Sequence, residues 1–497
     1  MNDGMVSQAF ALCADGRVAE SLALAESLMA NAGPNAALLN LAAICAMQAG
    51  DLAKASSYWQ PLLEGERPDP AVLNLAAVCH MALDHPVEAQ SLWEQALAIQ
   101  PDHADALYNL GHLLQTMHRF EAAEAAYRQL LTHHPDHANG HYALGLFLYR
   151  RKRFAEAEEA YQRALQIQPD HEEAQWYLGV LYLSLGRFQA GWPLYEARHP
   201  PNRPERVAAL IDSGSPRWNG EPLAGRSLLL VAEQGLGDQI QFCRYAATLK
   251  ARGVTQLTLV CAAPLETLFA ALAGVDRVLV QSETRRYPPH DFWAFYLSIP
   301  FHLATTLETI PNRIPYLMAP EARLAHWKGR LPPDGFRVGL IWKGNLQNRK
   351  GLHRSLPGLH LLAPLWSVPG ITFISLQKGE GEEDARNAPP EQPLLPLGET
   401  IRDCADTAAI VAQLDLVISI DSAVAHLAGA VGKPCWILLP HWGTDWRWLH
   451  DRSDSPWYPG MVRLFRQTRP DDWPGVIQQV TEALADRVQT TRPSANP

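Results

Sequence analysis

The sequence lacks paired-cysteine motifs and long uncharged apolar runs, and each absence excludes a class of protein. Its seven cysteines are scattered without a C-x-x-C pair, which is typical of reduced thiols in a cytoplasmic protein. A membrane-spanning helix needs about 18 uncharged apolar residues in a row, and no such stretch is present. The N-terminus has no basic segment followed by an apolar core, so no secretory signal is expected. We therefore expect cytoplasmic localisation.

Positive charge and cofactor motifs are also scarce. The formal net charge of −10 and the pI near 6.0 argue against a general nucleic-acid binder, which carries a basic surface. No D-x-D pair is present to bridge a metal ion and a nucleotide, so we expect neither a metal site nor a cofactor. The G-x-x-x-x-G-K-[ST] pattern of a P-loop is absent as well.

What is present, over the first 199 residues, is a repeat of 34 residues. Prolines, glycines and aromatic residues recur with this period: Pro101, Pro135 and Pro169; Gly111, Gly145 and Gly179; and Trp59, Trp93, Tyr127, Tyr161 and Tyr195. The period is that of the tetratricopeptide repeat, in which each unit is a pair of antiparallel helices. The glycine allows close helix approach, the aromatic residue fills the space between units, and the proline ends the second helix. We therefore predict an α-solenoid of about six units over residues 1–199.

A solenoid of this kind has a concave binding face. The repeats are therefore expected to bind a protein partner. A spacer or a dimerisation arm is the alternative, and homo-oligomerisation stays open.

The chain after the repeats alternates apolar strands with helices. A proline-rich linker is predicted over 200–215, after which the 34-residue period vanishes. Strands such as "SLLLVAE", "RVGLIWKG" and "DLVISIDS" are apolar throughout, which indicates parallel sheets covered on both faces. We predict two Rossmann-like halves at 216–320 and 321–488, the second with a closing helix, and a disordered tail at 489–497.

The first strand of this region leads into a glycine turn, "EQGLGDQIQF". Gln234, Gly235, Gly237 and Gln241 surround Asp238, which opens the next helix. Backbone N–H groups at a helix N-terminus attract anions, but a carboxylate there repels phosphate. Asp238 therefore does not fit a phosphate site, and on local grounds a cap in the first turn of the helix is the simplest interpretation.

Three later turns carry candidate groups for binding a diphosphate and a base or sugar. "DSAVAH" contributes Asp421, Ser422, Ala423 and His426, of which Ser422 can cap a helix. The loop after "RVGLIW" carries Lys343, Gly344, Asn345 and Arg354, and cations in such a loop suit a diphosphate. Gln377 and Lys378 follow a third strand and offer hydrogen bonds to a base or sugar. The alternative for the "DSAVAH" segment is a packed turn that binds no ligand. The alternative for the loop that carries Lys343 and Arg354 is a solvated basic loop.

The motif "DSAVAHLAGAVGKP" is similar to the signature of ADP-heptosyltransferase-like glycosyltransferases. With "EQGLGDQIQFCRYA", "RSLPGLHLLAPL", "SLQKG" and "DWRWLHDRSDSPWYPG", it resembles bacterial proteins that fuse tetratricopeptide repeats to such a domain. The O-linked N-acetylglucosamine transferases are more distantly similar. The resemblance runs from about residue 216 to 473 and implies a GT-B fold of two facing Rossmann-like domains.

The resemblance also implies roles for individual residues. It places the donor at Asp421, Ser422 and His426, its phosphates near Lys343 and Arg354, and the general base at Asp238. Ala423 replaces the usual glycine, and residues 441–443 also depart from the pattern, which leaves donor binding and the choice of sugar open.

Together these features predict an inverting, metal-independent glycosyltransferase that transfers a sugar from a nucleotide-sugar donor to a protein acceptor. One alternative is heptosyltransferase-like transfer to a lipopolysaccharide or another saccharide. The other is a tetratricopeptide scaffold whose enzyme domain is degenerate.

Overall fold

The computed structural model describes residues 2–199, 207, 211–345 and 353–491. The chain divides into two compact units, Met1–Ala174 and Gln175–Pro497. The prolines of the predicted linker and the residues of the predicted tail beyond 491 lie outside the described residues.

Residues 2–199 form twelve α-helices, the number expected for six helix pairs. They are α1 (Asn2–Ala14), α2 (Val18–Ala32), α3 (Ala36–Gln48), α4 (Leu52–Leu63), α5 (Pro70–Ala82), α6 (Pro86–Ile99), α7 (Ala104–Thr116), α8 (Phe120–His133), α9 (Ala138–Arg150), α10 (Phe154–Ile167), α11 (Glu172–Ser184) and α12 (Phe188–Tyr195). Helices α1–α10 lie in the first unit, whereas α12 and most of α11 belong to the second.

The periodic glycines lie where two helices of one repeat touch. A Cβ atom at Gly111 would lie 2.7 Å from the ring of Tyr127, and one at Gly145 would lie 2.7 Å from the ring of Tyr161. Both tyrosine rings are buried. The 34-residue period therefore records a glycine on one helix and the aromatic residue that packs against it from the next.

A four-stranded parallel sheet begins the α/β region. Its strands are β1 (Ser227–Val231), β2 (Gln256–Cys261), β3 (Arg277–Val280) and β4 (Phe292–Phe295), in the order β3-β2-β1-β4. The α-helices between and after them are Leu236–Phe242, Tyr245–Ala251, Glu266–Phe269 and Ile299–His302. β1 is buried from Leu228 to Val231, as the apolar run in the sequence predicts.

A six-stranded parallel sheet follows. Its strands are β5 (Phe336–Ile341), β6 (Ile371–Ser375), β7 (Leu394–Pro396), β8 (Leu416–Ile420), β9 (Cys435–Leu439) and β10 (Val462–Arg466), in the order β10-β9-β8-β5-β6-β7. Its helices are Glu321–Trp327, Glu382–Arg386, Cys404–Val411, Ala423–Ala430 and Trp473–Thr491. No described helix has the length and apolar character needed to cross a bilayer.

Helix α12 packs into the α/β region through its aromatic side chains. Trp192 meets Trp446 edge to face at 5.3 Å between ring centroids, and its indole N–H donates to the Thr305 carbonyl at 2.8 Å. Phe188 and Tyr195 also contact Trp446. The last repeat helix is thus part of the core that holds the two sheets.

This packing predicts where the chain can be cut. A fragment that begins at residue 175 should fold cooperatively, whereas one that begins at 200 should be much less stable, because Trp446 loses the rings of α12. Within the longer fragment, Trp192→Ala should cost about 3 kcal/mol, as for other buried tryptophans. Urea unfolding followed by circular dichroism checks both expectations, and equal midpoints for the two fragments would contradict them.

Candidate active site

Each sheet has one point at which the strand order reverses. In the first sheet β1 has β2 on one side and β4 on the other, so the reversal lies between β1 and β4. In the second sheet β5 has β6 on one side and β8 on the other, so the reversal lies between β5 and β8. Loops that leave two such neighbouring strands run to opposite sides, so a crevice opens beyond their carboxyl ends. Asp238 follows β1, and Asp421 follows β8, so both aspartates are at these crevices.

The glycine turn after β1 leads directly into the helix Leu236–Phe242. Gln234 and Gly235 are exposed, and Asp238 lies in the first turn of the helix. Asp238 and Gln241 are three residues apart and share one helix face. Gln241 is fully buried, and both polar atoms of its amide lack a hydrogen-bond partner among the described residues.

Asp238 is paired across the site with an arginine that the sequence motifs did not single out. Arg447 Nη2 donates to Asp238 Oδ1, and Arg447 Nη1 donates to Asp445 Oδ1 at 2.7 Å. Burial raises the pKa of Asp238, as do the nearby carboxylates of Asp445 and Glu233, whereas the Arg447 guanidinium lowers it. The net result is a pKa above the ordinary aspartate value. Only Oδ1 is used in hydrogen bonding within the described structure, so Oδ2 is available to another donor.

A second contact joins the same two crevices. A Cβ atom at Gly237 would lie 2.8 Å from His426 Cδ2, so the backbone of the glycine turn packs directly on the imidazole. His426 Nδ1 is 2.9 Å from the Tyr458 hydroxyl, and its ring stacks on Trp448. Burial lowers the pKa of His426 to about 3. The imidazole is therefore neutral at physiological pH and positions its neighbours without adding charge.

Asp421 and Arg354 form an ion pair beside this contact. Arg354 Nη1 donates to Asp421 Oδ2 at 3.0 Å, and His426 Nε2 lies 4.0 Å from the other carboxylate oxygen. Burial raises the pKa of Asp421, and Arg354 opposes that shift. Ser422 caps the helix Ala423–Ala430 by accepting from the Ala425 N–H. The predicted set of Asp421, Ser422, Ala423, His426 and Arg354 therefore lies together.

The remaining donor-side candidates are used within the fold. Gln377 is buried and accepts from the N–H groups of Trp342 and Lys343 at 3.0 Å each, so its amide holds the loop after β5. Lys343 Nζ pairs with Asp384 at 3.0 Å, and Lys378 Nζ donates to the Gly398 carbonyl at 3.0 Å. The Gly344 N–H donates to Ser355 Oγ, and Asn345 is exposed.

A buried charge network supports the turn from below. Glu233, next to the turn, accepts two hydrogen bonds from Arg198 at 3.0 and 3.1 Å and pairs with His199. Burial alone would raise the pKa of Glu233, but Arg198 and His199 outweigh it and hold the pKa at about 2. Glu233 therefore stays ionised and ties the chain after α12 to the end of β1.

Arg447, Asp445 and Tyr458 are the site residues that sequence reasoning missed. They lie in "TDWRWLHDRSDSPWYPG", a segment that contributes to the family resemblance without assigning a role to any of its residues. Arg447 stands between two tryptophans, which indicates that its side chain is buried. A buried arginine is seldom without a carboxylate partner, so this pattern could have identified it as part of an ion pair. The sequence could not show that the partner is 209 positions away.

Comparisons with known proteins identify the N-terminal region. Models of the tetratricopeptide repeat match residues 69–135, 108–172 and 148–210. The prediction of tetratricopeptide repeats is thus confirmed, and these repeats form the helical solenoid that precedes the parallel sheets.

One curated protein reaches beyond the repeats. Protein FlbA of Caulobacter vibrioides is 32% identical over 325 residues, which is 61% of this chain and 53% of FlbA. The chain thus spans about half the length of that relative.

Solved structures that are similar to this chain include MamA and a tetratricopeptide repeat protein. MamA of Desulfovibrio magneticus is 20% identical, with 34% of this chain and 94% of that chain covered and a TM-score of 0.29. A tetratricopeptide repeat protein of Parabacteroides merdae is 18% identical, with 39% and 83% covered and a TM-score of 0.35.

The contact between Gly237 and His426 makes a testable prediction. Gly237→Ala should destabilise the protein by about 1–3 kcal/mol, because the added methyl group overlaps the buried imidazole. Gly235→Ala is the matched control, since a Cβ atom there meets only Asp238 Oδ2 at 3.5 Å. Thermal unfolding measures both variants, and equal melting temperatures would show that the two crevices are not packed through this glycine.

Proposed function

We propose that the chain is an inverting, metal-independent glycosyltransferase whose two sheets form the halves of a GT-B fold. The observation that carries the proposal is the meeting of two crevices: Asp238 from one and the Asp421–Arg354 pair from the other, with the Arg447–Asp238 ion pair between them. Ligands of open α/β sheets bind in such crevices. A cleft with a carboxylate on one side and a cation on the other suits an acceptor and an anionic donor.

Asp238 is the proposed general base. An acceptor hydroxyl would donate its proton to Oδ2 as its oxygen attacks the anomeric carbon, and the bond from that carbon to the nucleoside diphosphate would break on the opposite face. A base acts best when its pKa lies nearer to the working pH than that of an ordinary aspartate, and burial shifts Asp238 in this direction. Arg447 orients the carboxylate through Oδ1.

Arg354 is the proposed partner of the donor diphosphate. One of its N–H groups is used by Asp421, and its side chain is 30% exposed, so the rest of the guanidinium can reach a ligand. Ser422 and the helix that it caps lie next to this arginine in the crevice. Fixed cations of this kind stabilise the leaving diphosphate.

The acceptor is proposed to be a protein that binds the repeats. Helix α12, which ends the repeat region, supports this choice because its side chains pack on Trp446, which directly precedes Arg447. Transfer to a saccharide is the alternative acceptor class.

A ligand-binding scaffold without transfer is the second candidate function. It is favoured by the use of Lys343 and Gln377 inside the fold, which leaves fewer free groups for a donor. The two candidates differ in whether a sugar is transferred.

The proposal is tested with a panel of nucleotide sugars and the Asp238→Asn variant. The parent protein should bind a donor by calorimetry and transfer its sugar to a co-expressed protein, detected by intact mass. Asp238→Asn should bind the same donor and lose at least about 100-fold in kcat, the usual contribution of a general base. Asp212→Asn is the control, because Asp212 is exposed and paired with Arg286.

Each outcome separates the alternatives. Absence of donor binding across the panel overturns the proposal, and binding without transfer supports the scaffold. If the acceptor is a protein bound by the repeats, a fragment of residues 175–497 should no longer transfer sugar to it. If the acceptor is a saccharide, the same fragment should still transfer the sugar. Full activity in Asp238→Asn would remove Asp238 from the base role.

The pH dependence of kcat/KM provides a second prediction. The base works deprotonated, so activity falls as the pH drops through the pKa of Asp238. Arg447→Met removes the cation that lowers this pKa and should move the acid limb to higher pH. Asp445→Asn removes a carboxylate that raises the pKa and should move the limb to lower pH. Shifts in the same direction would contradict the electrostatic assignment.

A further inference from the structure

The two helices of each repeat are joined by a turn whose backbone conformation recurs every 34 residues. One residue of each turn has a positive φ, between 59° and 84°: Gly16, Gly50, Asp84, His118, Lys152 and Gly186. The residue that follows closes the turn, as does Arg153, whose N–H donates to the Leu148 carbonyl at 3.0 Å. Helices that end in this way favour glycine at the residue with positive φ.

Lys152 departs from this preference. Aspartate and histidine tolerate the left-handed region better than most residues, which accounts for Asp84 and His118, whereas lysine has no short polar side chain that bonds locally. A residue held in a conformation that disfavours it is an indication of function. The ammonium group of Lys152 is therefore a candidate contact for a ligand.

The turns around Lys152 contain cations that have no carboxylate partner. Residues 117–120 and 149–155 include five arginines and lysines and no carboxylate. Arg153 is paired with Glu124. Among the described residues, no ion pair is made by three exposed cations of these turns: Arg119, Arg150 and Arg151. Carboxylates do pair with cations elsewhere in the first unit, namely with Arg17, Lys54, Arg128 and Arg163.

The two turns lie against each other. The Arg151 guanidinium carbon is 4.4 Å from the centroid of the Phe120 ring, and the imidazole of His118 meets the same ring edge to face at 5.6 Å. The cations of both turns therefore belong to one surface, which we name the basic edge: Arg119, Arg150, Arg151 and Lys152. Like charges on one surface repel, so an anionic ligand that neutralises them is favoured.

The basic edge is bounded by negative charge. The turns that precede it along the repeats carry Asp51 and Asp84 in place of cations. Helices α7 and α9 contact each other and have 13 residues each, so their other ends are about 20 Å away, and the turns there carry Asp102 and Asp136. A nucleic acid is charged along its whole length and would extend from this small surface towards those aspartates. A short acidic peptide segment can be confined to it.

We propose that the basic edge binds an acidic segment of a partner protein. The carboxylates of such a segment would accept hydrogen bonds from Arg119, Arg150 and Arg151 and pair with the ammonium group of Lys152. The planar fork of an arginine matches a carboxylate through two parallel hydrogen bonds. The site lies within the first unit and does not require sugar transfer, so this proposal and the proposed transferase fail independently.

The test measures binding of labelled peptides to the full chain by fluorescence anisotropy. The acidic probe has three copies of Glu-Ser-Glu-Gly, and its neutral and basic counterparts replace each glutamate with glutamine or lysine. Only the acidic peptide should bind, and its affinity should fall as salt is added, because exposed charges are screened.

The other anionic probes are a single-stranded oligodeoxythymidine and vesicles that contain phosphatidylserine. If the acidic peptide does not bind at millimolar concentration, the proposal is overturned. Tighter binding of the oligonucleotide or of the vesicles through the same arginines would overturn it as well.

Variants locate the binding at the basic edge. The double variant Arg119→Gln and Arg150→Gln should weaken the acidic peptide at least about tenfold, because two charge-assisted hydrogen-bonding groups are lost. Arg67→Gln is the matched control, since Arg67 is exposed in the turn between α4 and α5 and makes no ion pair among the described residues. An equal loss in this control would mean that the peptide responds only to overall charge, and the assignment would fail.

Lys152→Gly separates a ligand contact from a structural role. Glycine relaxes the left-handed turn, so this variant should melt at the same or a higher temperature while it binds the acidic peptide several-fold more weakly. Asp84→Gly makes the same backbone change in the preceding repeat and should not weaken the peptide. Unchanged affinity in Lys152→Gly, or a melting temperature that falls together with the affinity, would contradict the role assigned to Lys152.

Discussion

The ion pair between Asp238 and Arg447 joins the crevice of the four-stranded sheet to that of the six-stranded sheet. Both partners are largely buried, and Arg447 is held a second time by Asp445. Removing one partner from such a pair leaves an uncompensated buried charge, which is far more costly than the loss of a surface salt bridge. The pair therefore fixes the carboxylate of Asp238 at the mouth of the glycine turn. Gly237 packs closely on His426, and this contact also joins the two crevices.

Aromatic packing connects Arg447 to the last repeat helix, α12. The guanidinium of Arg447 lies 4.6 Å from the ring centroid of Trp446, and Trp446 is covered by Trp192 of α12. A partner that strains α12 would act on Trp446 and, through it, on the arginine that orients Asp238. Within the second unit, two packed side chains, Trp192 and Trp446, thus lie between helix α12 and Arg447.

The sequence predicted the helices and strands well, but it did not predict which distant side chains contact one another. The 34-residue period is local, because each glycine meets an aromatic residue 16 positions later, as Gly111 meets Tyr127. Parallel strands are recognisable from continuous apolar runs, and Asp421, Ser422 and His426 share one turn. Arg447, by contrast, reaches Asp238 across 209 positions, and no spacing rule reports such a contact. Gln377 illustrates the same limit: its residue type suited a ligand, but its amide is used to hold the loop after β5.

The most direct test of this account is a double-mutant cycle between Asp238→Asn and Arg447→Met, measured as the free energy of unfolding of the second unit. Tryptophan fluorescence reports mainly on that unit, since only Trp59 and Trp93 lie in residues 1–174. The account predicts a coupling energy of about 2 kcal/mol, typical of residues that share a buried contact. A coupling energy near zero would mean that the two crevices are not held by this pair and would contradict the account.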